Sequence, residues 1–242
     1  LLVCSEIREE AICMNRFKEQ AMKIVFMVAA CVSVLAVFLI CLFLFANGIP
    51  AIAKIGPLNF LLGTAWKPSN DKFGIFPMII ASIYVTGGAI LVGVPVALFT
   101  SVFMARYCPQ KIYRPLKSGI ELMAGVPSIV YGFFGLVLMV PLIRSTFGGT
   151  GTSWMAASLL LGIMILPTII GPTESALRSV PESYYEGSLA LGATKERSIF
   201  VVMLPAAKSG ILAAVVLGIG RAIGETMAVI MVAGNQARMP AG

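Results

Sequence analysis

Residues 206–233 read AAKSGILAAVVLGIGRAIGETMAVIMVA, and this stretch decides how the chain is interpreted. It is apolar and long enough to cross a bilayer, which takes about 20 residues. Arg221 and Glu225 nevertheless lie near its middle, since Arg221 follows Lys208 by 13 residues and Glu225 precedes Arg238 by 13. A charged residue at the centre of a spanning helix costs about 2.5–3.5 kcal/mol, so such groups usually face a partner, a cavity or a pathway. Residues four apart share one face of a helix. The stretch therefore predicts a polar surface suited to anions inside a membrane protein.

The composition sets the class of protein. The chain has 242 residues, of which 58% are hydrophobic and 12% are charged, whereas a soluble domain is about 25% charged. The net charge is +7, but no dense basic run with interleaved aromatic residues is present, which disfavours nucleic-acid binding. There is no histidine and no metal-ligand cluster, so we expect no metal site, no catalytic residues and no cofactor bound by this chain.

Five apolar segments predict an all-α, polytopic transmembrane helix bundle. The predicted spans are about 24–46, 76–105, 122–143, 154–171 and 206–233. We accordingly divide the chain into an N-terminal segment, 1–23, and a membrane domain, 24–242.

The basic residues predict the orientation of these spans. Twelve lie before the first span or near the second-to-third and fourth-to-fifth connections: Arg8, Arg16, Lys18, Lys23, Arg106, Lys111, Arg114, Lys117, Arg178, Lys195, Arg197 and Lys208. Five lie on the other side: Lys54, Lys67, Lys72, Arg144 and Arg238. The positive-inside rule then places the N-terminus and segment 1–23 in the cytoplasm.

The longest polar insertion on that side is the stretch 173–204. Pro181 suits the first turn of a helix and Gly192 its C-terminal end, while Thr194 suits the N-cap of a second helix. We expect two short helices here. The alternative, from the residues alone, is that the stretch simply connects two spans. Glu174 and Arg178, four apart at its edge, predict an interfacial ion pair.

The same stretch resembles the permease loop of binding-protein-dependent ABC importers, which has the form E-A-A-x3-G-x9-I-x-L-P. Glu, Gly and Leu-Pro occur at matching spacing, whereas Gly187-Ser188 replaces the two alanines and Val202 replaces the isoleucine. The resemblance implies the MetI-like fold of type I importer permeases, with Ser183–Thr194 as a coupling helix that docks in a cytoplasmic ATPase. The residues to which it assigns this coupling are Glu186, Gly192, Ala193, Leu204 and Pro205.

Two further motifs resemble the phosphate importer permeases. Residues 218–229 read GIGRAIGETMAV and residues 125–132 read GVPSIVYG, and the TMAV ending favours the PstC type over its PstA-type partner. The resemblance covers about 23–242 and implies six core spans, so we expect a sixth beyond the five visible ones. It assigns to the substrate pathway Arg221, Glu225, Thr226, Ser128 and Tyr131.

The charged pair suggests a mechanism. We hypothesise that Arg221 neutralises a passing phosphate, and that Glu225 orients Arg221 and accepts a hydrogen bond from a protonated oxyanion. The alternative is a structural pair whose charges neutralise each other or bind the partner permease. Core hydroxyls bonded to the backbone are likewise an alternative role for Ser128 and Tyr131. Gly220 and Gly224 form a small-x-x-x-small pattern that predicts helix packing at an interface.

The resemblance also implies partners. These are a second permease subunit of the PstA type, two ATPase subunits that bind ATP and Mg, and an extracytoplasmic phosphate-binding protein that reaches outer loops such as Gly48–Ile75. The expected location is a prokaryotic cell (inner) membrane. A permease of the same fold for another oxyanion or an amino acid is the alternative, and an ion channel or a membrane enzyme is disfavoured by the coupling loop and by the lack of histidine.

Overall fold

The computed structural model describes residues 2–70, 72–148 and 151–234, without the side chains of residues 2–17, 69 and 147. Arg238 and the final residues therefore lie outside the described part. The chain forms two compact units, Leu1–Leu62 and Gly63–Gly242.

The first unit contains two helices. Helix α1, Leu2–Ile55, carries the N-terminal segment and the first predicted span in one uninterrupted helix. Gly56 then takes a left-handed conformation with φ of 89°, which glycine adopts without steric cost, and α2 follows at Pro57–Leu62. The described side chains of α1 are almost all exposed, as in a helix that faces lipid.

The second unit starts with a small hairpin and continues as a helix bundle. Strands β1 (Trp66–Lys67) and β2 (Lys72–Phe73) pair antiparallel. The helices that follow are α3 (Phe76–Val102), α4 (Gln110–Gly125), α5 (Ser128–Phe134), α6 (Val140–Phe147), α7 (Trp154–Arg178), α8 (Glu182–Ala190), α9 (Lys195–Arg197), α10 (Leu204–Ala206), α11 (Lys208–Gly224) and α12 (Met227–Ala233). Three π-helical turns adjoin them, at Phe103–Tyr107, Gly135–Met139 and Ser198–Met203.

Within the described residues, four helical segments are long and apolar enough to cross a membrane: Lys18–Ile55, Phe76–Tyr107, Ser128–Thr146 and Trp154–Arg178. A fifth is obtained if Lys195–Ala206 and Lys208–Gly224, which meet at 72°, form one span.

Two of the observed helices differ in extent from the predicted spans. The third span does not begin at residue 122, because Pro127 forces Val126 into an extended conformation and the spanning helix starts at Ser128. The fourth span does not end at residue 171; α7 passes Pro172 and reaches Arg178, so the polar loop starts later than residue 173.

The fifth span, predicted as one helix over 206–233, is broken twice. Its first break lies at Ala207, between α10 and α11. Its second lies at Glu225, where the backbone is extended with ψ of 119°, and α12 starts after Thr226. Gly224 weakens the helix at this point because glycine is the poorest helix former after proline.

Helix α7 is the most buried helix of the unit and packs against α3 through small residues. A Cβ on Gly93 would lie 2.9 Å from the Gly162 carbonyl oxygen and 2.9 Å from Ile165. The Ser158 hydroxyl donates to the Val85 carbonyl at 3.1 Å. Close approach of small residues, with interhelical hydrogen bonds, is the usual way in which membrane helices associate.

We expect Gly93→Ala to destabilise the protein by about 1–3 kcal/mol, because the added methyl group has no room between α3 and α7. Gly87→Ala, on the same helix, is the matched control, since nothing lies within 4 Å of its Cβ position. Thermal unfolding of the purified protein in detergent measures the difference. Equal unfolding midpoints for the two variants would contradict the packing described here.

Candidate functional site

The packing of α11 on α7 positions Arg221. A Cβ on Gly218 would lie 2.5 Å from Ile169, so the backbone of α11 lies against that side chain. One turn later, in the last turn of α11, the Arg221 guanidinium reaches α7 and its Nη1 donates to the Thr168 hydroxyl at 3.0 Å. Both residues are half-buried. No sequence pattern singles out Thr168, since a single threonine in an apolar span is common.

The predicted charged pair lies at the C-terminal end of α11. Glu225 is the C-cap of this helix: its φ of −79° still follows the helix, and its ψ of 119° turns the chain away only after it. Although both residues are described, no ion pair joins them; the ion pairs of the described part are Arg106–Glu182 and Arg178–Glu174. Arg221 therefore has a neutral hydroxyl as its hydrogen-bonding partner within the described part of the chain. Glu225, four residues later in the sequence, is half-buried.

Helices α5 and α12 run side by side from the two breaks. A Cβ on Gly132 would lie 3.0 Å from Ala228 and 2.9 Å from Met231, and a Cβ on Gly135 would lie 2.7 Å from Val232. These contacts advance together along both helices, so α5 and α12 are parallel and begin at the same level. Consequently, the breaks before Ser128 and before Met227 lie close together.

The other predicted pathway residues surround these breaks. The Tyr131 hydroxyl donates to the Met123 carbonyl at 2.8 Å and so joins α5 to the last turn of α4; this backbone bond is the alternative that we gave for it. Ser128 is half-buried at the first position of α5, and the exposed Thr226 hydroxyl makes a long 3.5 Å contact to the Gly224 carbonyl.

Gly220 and Gly224 pack against nothing in the described part of the chain, because no atom lies within 4 Å of either Cβ position. The close contacts of α11 are made instead by Gly210, against Ala176, and by Gly218. The described part of the chain therefore places no other helix close to either glycine. Their role at a contact with another subunit stays a prediction.

The polar loop contains two short helices, as predicted. Pro181 precedes α8 as its N-cap, and Gly192, with φ of 85°, lies just past its end. The Thr194 hydroxyl accepts from the Arg197 N–H and caps α9. A small core that includes Leu177, Ile199 and Met203 anchors the inner side of the loop, with Leu204 packed against it. The outer side is exposed: it includes Glu186, Pro205 and Leu191, which is 91% exposed.

An ion-pair cluster lies where α7 enters this loop. The predicted pair of Glu174 and Arg178 is confirmed, with Nε donating to Oε1 at 2.6 Å. Glu174 is buried and also accepts from the Tyr113 hydroxyl of α4 at 2.6 Å. Lys117 donates to the same hydroxyl at 3.1 Å; this hydrogen bond, together with the nearby Glu174 carboxylate, raises the pKa of Lys117 above its ordinary value and keeps it a cation.

The family follows from a comparison with known proteins. Residues 93–241 match the family described as binding-protein-dependent transport system inner membrane component. The chain belongs to this family. The resemblance predicted from the polar loop is thereby confirmed, and this inner membrane component is a multi-pass helical membrane protein.

Several curated proteins are similar to this transport component. It is 40% identical over 220 residues to the probable ABC transporter permease protein YqgH of Bacillus subtilis, covering 88% of this chain and 71% of that protein. It is 33% identical to the phosphate transport system permease protein PstC of Mesorhizobium japonicum (81% and 66% covered) and 30% identical to PstC 2 of Mycobacterium tuberculosis (91% and 74% covered). The chain thus spans between 66% and 74% of the length of these relatives.

One solved structure is similar over part of the chain. The inward-facing MetNI methionine ABC transporter shares 25% identity with a TM-score of 0.49, covering 62% of this chain and 68% of the solved one.

We expect Arg178→Met to destabilise the transport component by about 1–3 kcal/mol, because the buried Glu174 carboxylate loses a charged donor. The double variant Arg178→Met/Glu174→Gln should regain most of this loss, since a neutral amide still accepts from Tyr113 and leaves no buried charge. Thermal unfolding in detergent measures both, with the exposed Arg114→Met as control. A double variant less stable than the single one would contradict the assignment.

Proposed function

We propose that this chain is the permease subunit of an ATP-driven importer that carries inorganic phosphate into the cytoplasm by alternating access. The observation that carries the proposal is the environment of Arg221, a half-buried cation that donates to the neutral Thr168 hydroxyl and forms no ion pair with Glu225. An arginine whose charge is not cancelled by a neighbouring carboxylate retains attraction for an anion. The planar guanidinium keeps further N–H donors in the geometry that fits phosphate oxygens.

The break beside Arg221 supports a transport role. Non-helical backbone within a membrane protein is tolerated where it is buried in protein or lines a water-filled cavity. Helix α5, which continues through α6 as one long segment, begins next to the break at Ser128. The first N–H groups of a helix lack partners within the helix and carry partial positive charge, which favours an anion there.

The carboxylate of Glu225 favours a protonated oxyanion. Phosphate at neutral pH still carries a proton that a carboxylate can accept in a hydrogen bond, whereas sulfate carries none and would be repelled. Because Glu225 forms no ion pair in the described residues, it retains this acceptor capacity. The relatives named PstC, which are phosphate transport system permeases, add support for phosphate as the solute.

The proposed partners follow from the two ends of the bundle. The outer side of α8 and α9 is exposed and includes the exposed Leu191. It is suited to the docking of two cytoplasmic ATPase subunits that bind ATP and Mg. We propose a cytoplasmic N-terminus, which the positive-inside rule predicts. A PstA-type permease would complete the pathway, and an extracytoplasmic binding protein would deliver phosphate to the side that carries the Trp66–Phe73 hairpin.

We expect Arg221→Gln to lower phosphate uptake roughly ten- to hundredfold, because a hydrogen bond to a charged group contributes about 1.5–3 kcal/mol. Uptake of labelled phosphate is measured in cells whose phosphate permease is the full-length protein carrying this chain, with membrane level quantified. The exposed Arg144→Gln is the control. Normal uptake by Arg221→Gln at normal level would make Arg221 structural, and uptake of another oxyanion by the wild type in place of phosphate would refute phosphate as the solute.

We expect Glu225→Gln to lower the maximal rate of phosphate uptake and to weaken discrimination against sulfate, because the amide no longer repels an unprotonated dianion. Phosphate and sulfate uptake are compared in membrane vesicles at saturating concentrations. Glu121→Gln, an exposed carboxylate on α4, serves as the control. A Glu225→Gln variant with the wild-type rate and selectivity would remove Glu225 from the pathway.

A further inference from the structure

The π-turn Phe103–Tyr107, at the end of α3, touches elements on two sides. A π-turn closes i→i+5 hydrogen bonds, here from the Cys108 N–H to the Phe103 carbonyl at 2.8 Å, and such turns often occur at functional sites. On the inner side, the Arg178 Nη2 donates to the Met104 carbonyl at 3.0 Å. Since Glu174 holds Arg178 and Tyr113 holds Glu174, the turn is joined to α7 and to α4.

On its outer side, the same turn holds the polar loop. Arg106 Nη1 donates to both carboxylate oxygens of Glu182, at 3.1 and 2.9 Å. Its guanidinium also lies 5.6 Å from the centre of the Tyr185 ring. One residue further, the Lys195 ammonium lies over the Tyr107 ring, 4.7 Å from its centre. Consecutive residues of the turn therefore contact α8 and α9 separately.

Arg106 is well placed to sense a shift of α8. Its side chain is 14% exposed, whereas that of Glu182 is 56% exposed, so the arginine is enclosed by the bundle and the carboxylate lies at the surface. A single nitrogen of Arg106 meets both carboxylate oxygens, rather than the two-nitrogen fork that arginine forms at its strongest. The Arg106 Nε is buried and has no hydrogen-bond partner in the described part of the chain. A shift of α8 that brings an acceptor to this nitrogen would satisfy it.

We propose that Arg106 is a positioning residue that links the polar loop to α3. The link continues through Met104, Arg178 and Glu174 to α4. Movement of α8 imposed by an ATPase changes the Arg106–Glu182 contact and displaces the π-turn, which carries the displacement into the bundle. This inference rests on the proposed function in so far as an ATPase docks on the loop, but it does not depend on which solute crosses.

Charge reversal in the full-length complex, reconstituted with its ATPase subunits and binding protein, tests the link. We expect Arg106→Glu and Glu182→Arg each to lower the solute transported per ATP hydrolysed at least about fivefold, the lower range of coupling between sites. The double variant Arg106→Glu/Glu182→Arg should restore most of the ratio, and Arg106→Lys should retain it in part. Arg114→Glu, an exposed cation on α4, is the control. A residue that merely supported folding would change the amount of complex without changing this ratio.

A second readout keeps the test independent of phosphate transport. The ATPase rate of the complex is compared with that of the ATPase subunits alone, with ADP as the measured product. We expect the reversal variants to lose permease-dependent control of this rate and the double variant to regain it, even if the wild type imports another solute. If Arg106→Glu fails to assemble, Glu182→Gln changes the exposed partner alone and is expected to lower control as well. Assembled single variants with the wild-type ratio and rate, or a double variant no better than the single ones, would overturn the proposal.

Discussion

Close packing between α3 and α7 is the constraint on which the rest of the bundle depends. Lipid tails are as apolar as the side chains of these helices, so burial supplies little driving force for association, and small residues and interhelical hydrogen bonds must provide it. Gly93 faces the Gly162 backbone, and the Ser158 hydroxyl bonds to the other helix. Once α7 is fixed in this way, Thr168 and Glu174 are fixed with it. They lie six residues apart, about 9 Å along the helix, so one rigid helix positions both the partner of Arg221 and the centre of the ion-pair cluster.

The helix breaks depend on this rigid centre. Each break frees backbone groups, and each of these needs a partner in the protein or in a water-filled cavity. The Tyr131 hydroxyl bonds the Met123 carbonyl across the Val126–Pro127 break, and the Glu225 N–H still reaches the Ala222 carbonyl at 3.4 Å. The breaks are therefore built features of the bundle. They also lie at the same level, because α5 and α12 are parallel, which brings irregular backbone and Arg221 into one region.

The sequence predicted the helical class, the two short loop helices and the Glu174–Arg178 pair, because each depends on local signals such as hydropathy, helix caps and i,i+4 spacing. It failed where tertiary packing decides. The sequence predicted one helix through Glu225 to residue 233, and no proline marks the point where α11 ends. Pro127 does indicate the break before α5, but the span 122–143 was predicted from hydropathy, which does not register a proline. The Arg221–Thr168 hydrogen bond joins residues 53 positions apart, and the Arg106–Glu182 ion pair joins residues 76 positions apart. No local sequence pattern predicts contacts at such separations.

The environment of Arg221 has a consequence for transport in general. A cation cancelled by an adjacent carboxylate would have to lose that partner before it could bind an anion, and breaking a buried pair costs several kcal/mol. A hydroxyl partner orients the guanidinium without cancelling its charge, so an anion can bind with little reorganisation. The cost of keeping such a charge in a membrane protein is tolerable where water or solute reaches it, and Arg221 is only half-buried. The same exposure that makes the arginine tolerable in the bundle also makes it accessible to an anion in the proposed pathway.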